Sequence, residues 1–347
     1  MQRLVSIPRR GLALGLGLWA VAPQRAVAML PGAAVLFVPG PEDGPLSHWA
    51  TRLAAALARG ATTAVALTPM VLGGPDGVTA ANRFATEAAP DGRALLVLPG
   101  AALHARLVGD PRARYDGAGW MTVCGAEGAA VVAGRNPMAA PGGAPLRLAL
   151  PAADHPAAAG LLACDLMGVA AVGVLGLSGA EAEAALAQGA VDAILLQGPA
   201  VPARLAALGL QPWFSLDAAG GRDPGLPGLP SAVEAATAGP PALRAALAAA
   251  ATHARLQAAV MLPALTPGNL VALWRAAAQR WLEEGRAELS AGLWPLSGAG
   301  HPSLAVPRMR CSPIGPGWRG GSAGVAIDRM TLWQALAERF CAMQYSG

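Results

Sequence analysis

From residue 33 the chain alternates short unbroken apolar runs with longer stretches in which apolar and small residues recur at helical spacing. AAVLFVPG (residues 33–40) reads as a buried strand, ended by the turn-formers from Pro39 to Pro45. SHWATRLAAALARG (47–60) follows as a helix, with Ser47 placed to cap its start and Gly60 to stop it. ATTAVALTP (61–69) is the next strand, VTAANRFATEAAPDG (78–92) a helix with a turn, and RALLVLPG (93–100) a third strand. Strands alternating with helices of about 10–15 residues predict an α/β fold, a mostly parallel sheet covered by helices on both faces.

The middle of the chain repeats this plan. AAVVAG (129–134), PLRLALP (145–151), VAAVGVLG (169–176), VDAILLQG (191–198) and QPWFSLD (211–217) are strand candidates. PAAAGLLACDLMG (156–168), GAEAEAALAQGA (179–190) and PAVPARLAALG (199–209) are the helices between them. A proline- and glycine-rich connector, residues 220–230, then leads to a helix over 240–256, an apolar strand over 257–263 and a helix over 266–285 capped at Thr266. From about residue 308 the alanine bias and the strand–helix rhythm stop. The tail 308–347 keeps one amphipathic stretch, 330–340, that predicts a docked helix; an added extension and a read-through both fit its composition.

Length, 347 residues, allows about two domains. The formal charge of +4 is concentrated at the start, where residues 1–28 carry Arg3, Arg9, Arg10 and Arg25 and no acid. Those four set aside, 21 arginines balance 21 acids, which leaves no electrostatic footprint for nucleic acid. Lysine is absent, which excludes Schiff-base chemistry and a Walker-type phosphate loop. Basic residues to Arg10, an apolar run and AVA at 26–28 form an export signal expected to be cleaved after Ala28, by the Sec or the twin-arginine route. Mean hydropathy is +0.43, yet the other uncharged stretch near span length, 256–274, is broken by Pro263, Pro267 and Gly268. The expectation is a soluble, exported, periplasmic protein.

Several segments, in order, resemble the substrate-binding receptors of tripartite tricarboxylate transporters, the Bug-type extracytoplasmic receptors. The family's first strand opens into a P-x-P-x-G-G-P-x-D loop, matched by PGPEDGPLS at 39–47. Its Gly-Gly loop and PDG turn are matched by Gly73-Gly74 and by AAPDGRALLVLPG at 88–100, and its Y-D-P and V-V-N-P motifs by Tyr115-Asp116 and VVAGRNP at 131–137. ALAQGAVDAILLQG (185–198), the connector RDPGLPGLPSAVE (222–234) and AVMLPALTP (259–267) complete the series. The resemblance implies a bilobed periplasmic-binding-protein fold, two α/β domains with a ligand cleft and a hinge. It places lobe 1 at 29–130 plus 231–307 and lobe 2 at 131–230. It further implies capture of a small organic solute, a carboxylate in most of the family, and delivery to integral membrane permease subunits, with no cofactor and no catalysis. A ligand sensor or a paralogue that has lost its ligand fits the same pattern.

On that resemblance the ligand-binding candidates are Pro41, Asp43, Gly44, Pro45 and Ser47 in the first loop, and Gly100 after the third strand. In the second lobe they are Asp154 and His155, Ser178 and the Gly179 amide, and Gln197 before Gly198. Helix N-termini beyond parallel strands offer unpaired amides to an anion. Asp43 stands where the family has a second glycine, so either it turns outward or the ligand is neutral or cationic. Only MAAPGGA (138–144) fills the place of the helix that usually follows V-N-P. The enzyme alternative is a serine hydrolase using Ser178, Asp217 and His253, although GLSGA lacks the second glycine of a nucleophile elbow. The five histidines and four cysteines show no metal-ligand spacing; Cys124 with Cys164, and Cys311 with Cys341, is one of three possible disulfide pairings.

Overall fold

The first strands pair in parallel, as their apolar runs demand: those at Ala33–Pro39 and Ala94–Leu98 are largely buried, while Ala66–Leu72 at the sheet edge is mostly half-buried. In the structure, a computed structural model, the described residues are 29–138, 144–217, 222–223, 225–236, 239–285 and 293–298. Residues 1–28, expected to be an export signal, the tail 308–347 and residues 139–143 of the short bridge lie outside them. The first unit runs β1 (Ala33–Pro39), α1 (Pro45–Gly60), β2 (Ala66–Leu72), α2 (Val78–Glu87), β3 (Ala94–Leu98) and α3 (Gly100–Val108). The chain then enters β4 (Met121–Gly134), a strand of 14 residues. The second unit is β5 (Leu146–Leu150), a one-turn 3-10 helix (Pro156–Ala158), α4 (Ala159–Leu166), β6 (Ala171–Leu175), α5 (Gly179–Ala187), β7 (Ala193–Gly198), α6 (Val201–Leu208) and β8 (Gln211–Ser215). The return consists of α7 (Ala232–Ala235), α8 (Pro241–Arg255), β9 (Leu256–Leu262), α9 (Gly268–Gly285) and β10 (Leu293–Ser297).

The strand order is β2-β1-β3-β9-β4-β7-β5-β6, with β8 and β10 also on β4. β2, β1 and β3 are parallel, as are β6, β5 and β7. β4 runs antiparallel to its partners and divides its length between them. Residues up to Gly128 pair with β9 and β10, whereas Ala129 to Gly134 pair with β7 and β8. One continuous strand therefore belongs to both sheets, and the bilobed architecture follows from it.

Each lobe has its own core. Leu36, Val38, Leu53, Leu57, Leu95, Val97, Val260 and Trp274 pack in the first, where the Trp274 indole N–H donates to the Gly92 carbonyl at 3.1 Å. Leu148, Leu150, Leu162, Phe214, Leu243 and Leu247 pack in the second. Each fully buried leucine contributes about 1.5–3 kcal/mol relative to an exposed one. α1 buries Ala50, Leu53, Ala54, Leu57 and Gly60, the helical stripe read from the sequence.

Several expectations change. α1 begins at Pro45 with Gly44 as N-cap, not at Ser47, because proline at the first helical position has no N–H to leave unsatisfied. Helix α3, strand β10 and the first half of β4 were not legible as elements. Residues 231–255, expected with the first lobe, contribute Ala232, Leu243, Ala246, Leu247 and Ala254 to the second core, since the apolar face of α8 lies against α4. Cys124 and Cys164 are both buried, one in each lobe's core, so they do not pair with each other. Burial pushes the Cys124 thiol up to about 12, which leaves it unreactive at neutral pH.

α1 and α9 approach closely at Gly60, where a Cβ would stand 2.4 Å from the Ala277 carbonyl oxygen. The substitution Gly60→Ala should therefore cost about 1–3 kcal/mol despite alanine's better helix propensity. Urea denaturation should show a lower midpoint at unchanged slope; a stabilised variant would contradict the close packing.

Candidate functional site

The sheet registers locate the cleft. Leu98, at the carboxyl end of β3, pairs with Ala259; Leu256, at the start of β9, pairs with Glu127 of β4; and Gly198, at the carboxyl end of β7, pairs with Ala129. Both parallel sheets thus point their carboxyl ends at the middle of β4, the place where open α/β sheets receive ligands. There the strands meet glycine on glycine: a Cβ at Gly128 would lie 2.8 Å from the Gly198 Cα.

In the first lobe, the loop after β1 is folded tightly on the Pro41 carbonyl, which accepts from the Gly44 N–H at 3.0 Å and the Ser47 hydroxyl at 2.7 Å. Ser47 is buried and committed to that bond, whereas Pro41, Asp43 and Pro45 are exposed. The loop presents the first turn of the 16-residue helix α1, whose leading amides lack intrahelical acceptors. Gly100 is placed differently: a Cβ there would stand 2.0 Å from the His253 carbonyl oxygen, so this glycine serves the contact between α3 and α8.

In the second lobe, Asp154 is exposed and the His155 Nδ1 accepts from the Ala157 N–H at 3.1 Å, capping the 3-10 turn. Ser178 and Gly179 are exposed at the start of α5, where the Ser178 hydroxyl lies 3.4 Å from Glu181 Oε2. Gln197 donates through Nε2 to the Ala254 carbonyl at 2.9 Å and so ties β7 to the last turn of α8. The exposed candidates thus lie at the two helix starts, of α1 and α5, and in the loop that leads to the 3-10 turn; Ser47, Gly100 and Gln197 are engaged by the protein itself.

The proposed hydrolase triad is not assembled. Ser178 contacts Glu181 and His253 packs on His104, while Asp217, 1% exposed, takes the Arg255 guanidinium on Oδ1. The other Asp217 oxygen accepts from the Ser215 hydroxyl at 2.6 Å and the Asp223 N–H at 3.0 Å. Dispersed over three different partnerships, these side chains form no nucleophile–base pair.

Arg255 is the residue that sequence reasoning missed. It closes α8 and gathers Asp217, Glu127 at 3.5 Å and Asp223 at 3.9 Å. All four side chains are buried, and Ser231 donates to the Asp217 carbonyl at 2.9 Å. The cluster joins β4, the end of α8 and the connector after β8, directly beside the Gly128–Gly198 crossing. Its sequence signal was faint: one arginine ending an alanine-rich helix and one glutamate in a strand of small residues. Removal of the cation strands carboxylates in low dielectric, so Arg255→Met should destabilise the protein by about 3–5 kcal/mol. Chemical denaturation checks this, and a loss below about 1 kcal/mol would show that the cluster contributes nothing.

No family model matches the chain, and no curated protein does. Solved structures do. A TctC solute-binding protein from Polaromonas aligns with a TM-score of 0.60 at 16% identity, over 77% of this chain and 91% of that one. MatC from Rhodopseudomonas palustris, with bound malate, aligns with a TM-score of 0.51 at 22% identity, over 91% and 99%. The periplasmic binding protein BugD aligns with a TM-score of 0.53 at 15% identity, over 90% and 97%. Nearly the full length of each is spanned, and the chain has the bilobed fold of these TctC- and Bug-type solute-binding proteins.

Proposed function

We propose that the protein is an exported solute receptor, which closes two lobes around a small organic acid and delivers it to integral membrane permease subunits of a tripartite tricarboxylate-type transporter. The observation that carries this reading is the convergence of both parallel sheets on the middle of β4, with helices α1 and α5 starting from opposite lobes. Two helix N-termini facing one cleft hold an anion through backbone amides and need no arginine clamp. The malate held by the structural neighbour MatC makes dicarboxylates the first class to test. On this reading the lobes divide at Gly128 and Arg255, the residues 1–28 direct export and are removed, the destination is the periplasm, and no bond is made or broken.

The test is a thermal-shift screen of dicarboxylates, tricarboxylates, amino acids and neutral solutes. A ligand at about 100 times its Kd stabilises by about 2.7 kcal/mol, enough to raise Tm by several degrees. A saturating shift with a dicarboxylate is expected. Shifts confined to neutral or cationic solutes would retain the receptor and overturn the acid, and silence across the panel would overturn both.

Asp43 provides an independent check. A unit charge about 4 Å from a ligand carboxylate costs about 1 kcal/mol in water, so Asp43→Asn should tighten dicarboxylate binding by about fivefold. Isothermal titration decides it; unchanged affinity would show that Asp43 lies beyond reach of the ligand.

A further inference from the structure

The helices α3 and α8 also meet across the lobes, close to the end of α8 that Arg255 ties to β4. α3 packs into the first lobe through Ala102 and Ala105 and sends Leu107 into the core of the second, to which α8 belongs. Where they touch, His104 and His253 meet edge to face, ring centroids 6.0 Å apart and planes at 84°. His104 is 2% exposed, and the Nδ1 atoms of both rings are sealed from solvent with no hydrogen-bond partner. The contact is close, because the backbone of Gly100 lies directly on the His253 carbonyl. The 3-10 turn capped by His155 packs on the same two helices.

Two neutral imidazoles are tolerable in such a site. An imidazolium there would carry an N–H on a buried Nδ1 that has no acceptor, facing a second group of the same potential charge. The surrounding charges offer no relief. On α3, Arg106 is a cation whose buried Nε lacks a hydrogen-bond partner, and on α8 Arg255 is held by Asp217, Glu127 and Asp223. α2 pairs its Arg83 with its own Glu87 at the surface, and β9 contributes the neutral Gln257. From the loop before the 3-10 turn come His155, which opposes protonation of His104, and Asp154, which acts on His155.

We propose that the His104–His253 contact is a proton-operated latch between the lobes: neutral rings hold α3 against α8, and protonation of either ring parts the helices and opens the cleft. The latch rests on the proposed lobe closure, but it operates without solute. Burial, then His253, then His155, hold the His104 imidazole well below its ordinary range, and burial takes His253 down to about 4. In an open state both rings are solvated and titrate near 6.5. The open state therefore binds more protons between about pH 6.5 and 4. The contact is intact above that window and weakens as pH falls through it.

Between pH 7.5 and 5.5 each ring kept from protonation in the closed state shifts the opening equilibrium about tenfold. Hydrogen exchange of the full chain without solute, corrected for the intrinsic rate at each pH, reads this directly. At pH 5.5 the amides of α3 and α8 should open at least tenfold more than at pH 7.5, while those of β1 and β3 stay unchanged. The double variant His104→Phe with His253→Phe should lose the dependence. Unchanged exchange in α3 and α8, acceleration shared equally with β1 and β3, or the same dependence in the double variant would each overturn the latch. Should that variant not fold, an NMR titration of the unmodified protein decides: midpoints for His104 and His253 at ordinary values, with no accompanying change in α3 or α8, overturn it as well. A protein that binds no dicarboxylate yet shows the local acid-dependent opening would retain the latch and lose only the proposed solute.

Discussion

A strand that serves two sheets cannot change register in one without disturbing the other, and β4 is such a strand. Its 14 residues pair with β9 and β10 before Gly128 and with β7 and β8 after it. Everything on the cleft side depends on that crossing. The carboxyl ends of β3 and β7 face one another because both strands are aligned, directly or through β9, to the same few residues of β4. The backbones come so close that glycine is the residue that fits at 128, while Gly198 holds a left-handed φ of 91° that disfavours a side chain. Such a junction buries polar backbone and charged side chains together, and Arg255 with its carboxylates occupies that spot. A buried ionic cluster adds little net stability compared with an apolar replacement, but breaking it is costly, which favours one arrangement of the chain ends that meet there.

The two covalent crossings and the α3–α8 contact have different characters. At β4, pairing is backbone to backbone and independent of pH across the neutral range. Between α3 and α8 the close backbone approach at Gly100 is accompanied by two aromatic rings that are also bases. In the proposed latch the strands absorb the rotation of hinge closure while protonation of those rings shifts the balance between states.

On the proposed reading the loops carry recognition, through backbone more than side chains. Ser47 is spent in folding its own loop, Gln197 in tying β7 to α8, and His155 in capping a turn. Their commitment leaves the amides at the starts of α1 and α5 and the exposed Ser178 hydroxyl as candidate donors, with the exposed carboxylates of Asp43 and Asp154 as acceptors. Ser178, Asp217 and His253 each contact a different partner, so the chain order of a hydrolase triad is not matched by an assembled triad.

Periodicity determined the parallel strands, the apolar stripe of α1 and the α/β class, because buried strands and half-buried helices leave unambiguous patterns, whereas the bilobed fold came from the resemblance of colinear motifs to a receptor family. The sequence could not reveal α3, whose alanine-rich turn follows a proline and buries a histidine, nor the first half of β4, where Gly125, Ala126 and Gly128 have low strand propensity. Those elements form because neighbouring strands and helices pack against them, which is a tertiary cause. The same holds for the lobe assignment of α8, the gathering of Glu127, Asp217 and Asp223 around Arg255, and the meeting of His104 with His253. Each joins residues far apart in the chain, and local propensity carries no information about which distant surface a side chain will face.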